Sequence, residues 1–129
     1  KVMKVLPDDR RILGEVMKRL ADSNIVDLII TTGGTGFSES DVTPEATLDI
    51  VERQVPGIPE AMRAYSMQFT KRAMLSRAAA GIRKQTLIVN FPGSPKSLKE
   101  SLEYILPELI HGVEILQGIA KECAAPKEA

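Results

Sequence analysis

The sequence predicts an α/β domain, a three-layer sandwich with a mostly parallel sheet and helices on both faces. Three observations carry that reading. Val26–Thr31 and Thr86–Phe91 are near-continuous apolar runs, as expected of strands buried on both sides by helices. Segments with apolar residues at helical spacing alternate with them. Both runs end in turns, Gly33-Gly34-Thr35-Gly36 after the first and Pro92-Gly93-Ser94-Pro95 after the second. In this architecture ligands sit beyond the carboxyl ends of the strands.

Taken in order, Val2, Met3, Val5 and Leu6 read as a short strand ending at Pro7-Asp8-Asp9. Ile12, Leu13, Val16, Met17 and Leu20 then predict an amphipathic helix, with Asp8 or Asp9 as its cap. After the Val26–Thr31 strand and its glycine loop, Thr43-Pro44-Glu45 reads as a helix opening. Thr43 is its expected N-cap, Pro44 its first residue, and Leu48, Val51 and Val55 its inward stripe. A further helix is expected from Pro59 to Phe69, carrying Met62, Tyr65, Ser66 and Phe69 on one stripe. Residues 73–81 read as a strand or an irregular segment beside the site. After Thr86–Phe91, Ser97 and Glu100 match a capping box, and Pro107 is expected to restart the chain as a last helix through Leu116. The tail, 124–129, is expected to fray.

A length of 129 residues suits a single domain with one core, taken as 1–129. Seventeen basic residues balance seventeen acidic ones, so no global field draws the chain to nucleic acid or an anionic membrane. Any phosphate must be caught by a local site. The five aromatic residues are scattered, which disfavours a base-stacking platform. No apolar run approaches the ~20 residues of a membrane span, and no signal-peptide pattern is visible at Lys1. The single cysteine, Cys123, cannot form an internal disulfide and the single histidine, His111, cannot build a metal cluster. The cytoplasm is the expected compartment. Met62, Met67 and Met74 are taken as core filler.

The glycine loop admits two readings. Glycine permits positive φ and close backbone approach, so successive N–H groups can form an anion nest ahead of a helix. A plain strand-to-helix turn explains the glycine spacing equally well. The loop has neither dinucleotide-binding nor Walker spacing. Asp41 shifts the balance, because a carboxylate beside a phosphate nest needs a cation between them. Mg²⁺ binds in that way, through one or two carboxylates and substrate phosphates. Asp8 is either a helix cap or a second carboxylate at the same edge. Ser76, Arg77, Arg83 and Lys84 are candidate phosphate donors or a solvated charged stretch.

Three stretches together, TTGGTGFSESDVTPEAT, AMLSRAAAGIR and TLIVNFPGSPKSLKE, resemble the molybdopterin adenylyltransferases of molybdenum-cofactor biosynthesis, including the N-terminal domain of gephyrin. The likeness runs from about Val2 to Leu116. The resemblance implies a three-layer α/β domain, usually a homotrimer, that binds molybdopterin and ATP. It implies Mg²⁺-dependent transfer of AMP from ATP to the terminal phosphate of molybdopterin, releasing pyrophosphate. On this likeness the catalytic and metal-holding carboxylates fall on Asp8 and Asp41. The ligand-binding residues fall on Gly33, Gly34, Thr35, Gly36, Ser76, Arg77, Pro92, Gly93 and Ser94. The product would pass to a molybdenum insertase. The alternative is a non-catalytic molybdopterin-binding or trimeric scaffold domain. The family pattern opens with a strand carrying a Ser-Asp-Arg motif, a loop and a helix, upstream of the position of Lys1; on that likeness the sequence is expected to be incomplete at that end.

Overall fold

The computed structural model describes residues 2–118. Along the chain it comprises α1 (Arg10–Asp22), β1 (Leu28–Thr32), α2 (Thr43–Ile50), β2 (Arg53–Gln54), α3 (Gly57–Ser66), a 3₁₀ turn (Lys71–Leu75), β3 (Ala80–Arg83), β4 (Thr86–Phe91) and α4 (Pro95–Leu116). The four strands form one sheet in the order β1-β4-β3-β2.

Three layers are present, as expected. Successive side chains of a strand point to opposite faces, and β4 divides its residues accordingly. Leu87, Val89 and Phe91 pack with Met62 of α3 and with Ile105 and Leu109 of α4. Ile88 packs on the other face against Met17 of α1 and Ala46 of α2. All six residues of β4 are buried, which explains its near-continuous apolar run.

The sheet is mixed, not mostly parallel. β1 and β4 run parallel, with Thr32 opposite Phe91. β3 runs antiparallel to both β4 and β2. The cause is connection length: only Lys84 and Gln85 separate β3 from β4, and Lys84 takes a φ of 54° to make the turn. So short a link can close a hairpin but cannot carry a parallel crossover.

Several local expectations are corrected. Val2–Leu6 forms no strand; among the described residues it has no ladder partner, and Val5 is 97% exposed. The α1 cap is as expected, Asp9 being the one of the two candidates that accepts the Ile12 N–H, at 2.9 Å. Val42 takes the cap position of α2, so Thr43 already lies in its first turn. That helix ends at Ile50, which leaves Leu48 exposed and puts β2 where the helix was expected to continue. α3 ends at Ser66, and Phe69, Met67 and Met74 are exposed instead of filling the core. Ser94 caps α4 a turn earlier than the expected Ser97–Glu100 box, with Pro95 in its first turn. Pro107 sits inside this 22-residue helix and does not restart it. Its ring is on the exposed side, so the Glu103 carbonyl that loses a partner faces water. His111 is half-buried on the same helix. Cys123 and the 124–129 tail lie outside the described residues.

Candidate functional site

The parallel pairing of β1 with β4 brings the two turn sequences to one place. Both strands release the chain at the same end, and the Gly33 N–H donates to the Phe91 carbonyl at 2.9 Å. The loops touch: a Cβ built on Gly93 would stand 3.1 Å from the Gly33 Cα. Gly33 and Gly34 adopt φ of 87° and 72°, a region that favours glycine. At Gly34 space is also closed, because a Cβ there would lie 2.2 Å from Thr43 Oγ1.

The backbone polarity of the first loop is one-sided. Its carbonyls are consumed by the protein: Gly34 O accepts from Thr43 N, Thr35 O from Arg77 N, and Gly36 O from Arg77 Nε at 2.7 Å. Among the described residues, the N–H groups of Gly34, Thr35, Gly36 and Phe37 meet no acceptor. Successive unpaired N–H groups are the ingredients of an anion nest. Two helices begin at these loops, α2 after the first and α4 after the second. Their amino ends add partial positive charge.

Asp41 closes the loop on itself. Its Oδ2 accepts the Ser38 N–H at 2.9 Å, and its own N–H donates to Ser38 O. A Cβ on Gly36 would lie 2.9 Å from that same Oδ2, so glycine is needed for the carboxylate to fold back. No hydrogen bond among the described residues reaches Oδ1. Among them no group of three or more His, Cys, Asp or Glu side chains could hold a metal. A single carboxylate oxygen beside a nest fits Mg²⁺ held jointly with ligand phosphates, and does not fit a protein-built metal cage. Asp8 stands exposed one residue before the α1 cap, and no hydrogen bond or ion pair among the described residues joins it to Asp41.

Of the remaining expected residues, Ser76 turns its Oγ to the Ala78 N–H at 3.2 Å, while Arg63 donates to the Ser76 carbonyl. Ser76 and Pro92 line one shallow cleft with Met62, Arg63 and Ser101. Arg77 is engaged on four bonds, two already given plus Nη1 to Glu45 Oε2 at 2.5 Å and Nη2 to the Asp41 carbonyl at 2.6 Å. The Arg77 hydrogen bond holds the Glu45 carboxyl below its ordinary pKa. Arg83 instead pairs with Asp22 at 2.9 Å, away from these loops, and Lys84 lies in the β3–β4 turn.

Asn90 was not anticipated. It is fully buried in β4, its Nδ2 reaching Thr31 Oγ1 and Thr47 Oγ1 while its Oδ1 accepts the Ala79 N–H at 3.1 Å. One amide thus ties β1, α2 and the segment carrying Arg77 to the central strand. The signal was visible as a lone polar residue in an otherwise apolar run.

The fold and its paired loops define an α/β domain with a cleft at adjacent strand ends, lined by backbone N–H groups that meet no acceptor among the described residues. The chain belongs to the family described as the probable molybdopterin binding domain, which it matches over residues 1–111. It is 39% identical over 115 residues to a molybdopterin adenylyltransferase of Helicobacter pylori, covering 89% of this chain and 65% of that protein. The same enzyme of Haemophilus influenzae is 45% identical over 116 residues, covering 90% and 58%. The chain therefore spans 58–65% of the length of these curated relatives. The crystal structure of the molybdopterin biosynthesis enzyme MoaB from Thermus thermophilus superposes with a TM-score of 0.80 at 46% identity, covering 87% of this chain and 70% of that one. No helix among the described residues is long and apolar enough to cross a membrane.

Proposed function

We propose that this domain carries a molybdopterin adenylyltransferase site. A terminal phosphate oxygen of molybdopterin attacks the α-phosphorus of ATP; a new P–O bond forms, the bond to the β,γ-phosphates breaks, and pyrophosphate leaves. The attacking phosphate is already ionised, so no general base is needed. The protein's task is to gather and align anions that repel one another. The observation that carries the reading is the row of N–H groups from Gly34 to Phe37, left without acceptors beside Asp41.

In this reading the Gly33–Gly36 loop receives phosphate on the N–H groups of Gly34, Thr35 and Gly36, Gly33 being held on the Phe91 carbonyl at its base, and Pro92, Gly93 and Ser94 form the facing wall. Ser76 belongs to the adjoining cleft. Mg²⁺ would supply charge neutralisation for the phosphates, and Asp41, with Asp8 as the second carboxylate, would hold it. A homotrimer, a cytoplasmic setting and hand-over to a molybdenum insertase complete the reading, on the family likeness alone. The experiment is to incubate the protein with molybdopterin, ATP and Mg²⁺ and to assay for adenylylated pterin and pyrophosphate together. Tight molybdopterin binding with neither product would replace the enzyme by a binding module.

A further inference from the structure

The loop's one-sided polarity has one main source, with Thr43 N and Asp41 N taking the Gly34 and Ser38 carbonyls. Arg77 takes three of its carbonyls: Thr35 O through its backbone N–H, Gly36 O through Nε and Asp41 O through Nη2. A guanidinium presents its donors in a rigid planar fork, so the separation of Gly36 O from Asp41 O is fixed by the side chain that spans them. The residues bridged are those between which the loop doubles back, Gly36 to Asp41, and within that stretch the Ser38 N–H is held on Asp41 Oδ2. The third arm of the fork lands on Glu45 in the first turn of α2, which anchors the fork to the helix that follows the loop.

We propose that Arg77 is a positioning residue: it draws the loop's carbonyls inward so that the N–H groups are left for phosphate and the Asp41 carboxylate is set at the rim. This rests on the functional reading above and assigns Arg77 a role different from a phosphate ligand. Its charge is paired with Glu45, a carboxylate whose Oε1 is itself buried and without a hydrogen bond among the described residues. The guanidinium is thus already neutralised within the protein, and each of its three nitrogens is committed to an oxygen of the fold. A lysine at this position keeps the charge but offers one head in place of the fork.

The test needs no catalysis. Backbone amide signals of residues 34–41 are followed by NMR in the ligand-free protein, then during titration with pyrophosphate. In Arg77→Lys the Ser38 amide is expected to exchange at least tenfold faster than in the parent, while amides of β4 stay protected. Pyrophosphate affinity is expected to fall at least tenfold. An unchanged Ser38 amide in ligand-free Arg77→Lys overturns the proposal, whether or not affinity falls, because a direct ligand would disturb binding without disturbing the free loop. Glu45→Gln supplies a second variant that keeps an acceptor for Nη1. It is expected to hold affinity within about threefold, and a loss as large as that of Arg77→Lys with an undisturbed loop would equally sink the idea. Should adenylyl transfer itself prove absent, these amide measurements still decide the role of Arg77.

Discussion

Gly33 and Gly93 face each other across the end of the β1–β4 pair, with only 3.1 Å between the Gly33 Cα and the point where a Cβ on Gly93 would sit. Both sides of this contact are backbone, so no side chain can rotate to make room. Gly93→Ala is expected to push the loops apart, at about 1–3 kcal/mol for an overpacked contact. Molybdopterin affinity should fall about tenfold with little change in the far-UV spectrum; an unaltered affinity would show that the loops need not touch.

Gly34 is under two constraints that can be separated. Its φ of 72° disfavours any Cβ, and Thr43 Oγ1 occupies the place a Cβ would take. Gly34→Ala should therefore destabilise more than Gly93→Ala. Combining it with Thr43→Ala should recover part of the loss, leaving the backbone strain of about 1–2 kcal/mol. Urea midpoints of the single and double variants give the partition, and strict additivity would deny the steric component.

Asp41→Asn is expected to reduce turnover by at least a hundredfold while molybdopterin still binds. The amide oxygen of asparagine can accept the Ser38 N–H, so the loop retains its turn and only the charge is lost. Loss of binding and turnover together, measured by titration and product assay, would make Asp41 structural.

Asn90→Leu removes an amide of similar size from the middle of β4. It leaves the buried Ala79 N–H without its acceptor and two threonine hydroxyls without their donor. Orphaned buried groups cost about 1–3 kcal/mol each, and the expected loss is roughly 2–4 kcal/mol by urea unfolding. A neutral substitution would mean that these groups find water.

Glu45 and Asp22 make a prediction about acid. The hydrogen bonds from Arg77 and Arg83 lower their respective folded-state pKa values. A depressed carboxyl contributes stability that is fully present above its unfolded value, about 4 for either residue. That contribution disappears as pH falls through the folded value. Stability measured against pH should therefore be flat near neutrality and decline below about pH 5. The decline should shrink in Glu45→Gln; an identical acid limb would exclude Glu45 as a contributor.

The strands that build the cleft were legible because burial on two faces writes itself as an apolar run, as Thr86–Phe91 does. Loop position followed from the same runs, since Gly33 and Pro92 sit where they stop. Direction was not legible. Whether β3 would run with or against β4 depended on a two-residue link whose positive φ falls on Lys84, a residue without turn preference. Nor could sequence assign the partners of the Arg77 side chain, which lie 32 to 41 positions away. A charged residue beside a glycine-rich fold reads as a ligand contact until the carbonyls it serves can be seen. The cap of α1 was legible, as Asp9, but that of α4 was not, because Ser94 and Ser97 are both chemically competent and the helix starts at the earlier one.

The proline in α4 leaves one gap in the backbone ladder of the helix that leads away from the cleft. Backbone hydrogen bonding lapses at Glu103 and Pro107, between the turn held by Ser101 and Ile105 and the turn held by Leu109. The amino-terminal half, with Ser94 at its cap, lies on the cleft side of that gap and begins at the second loop.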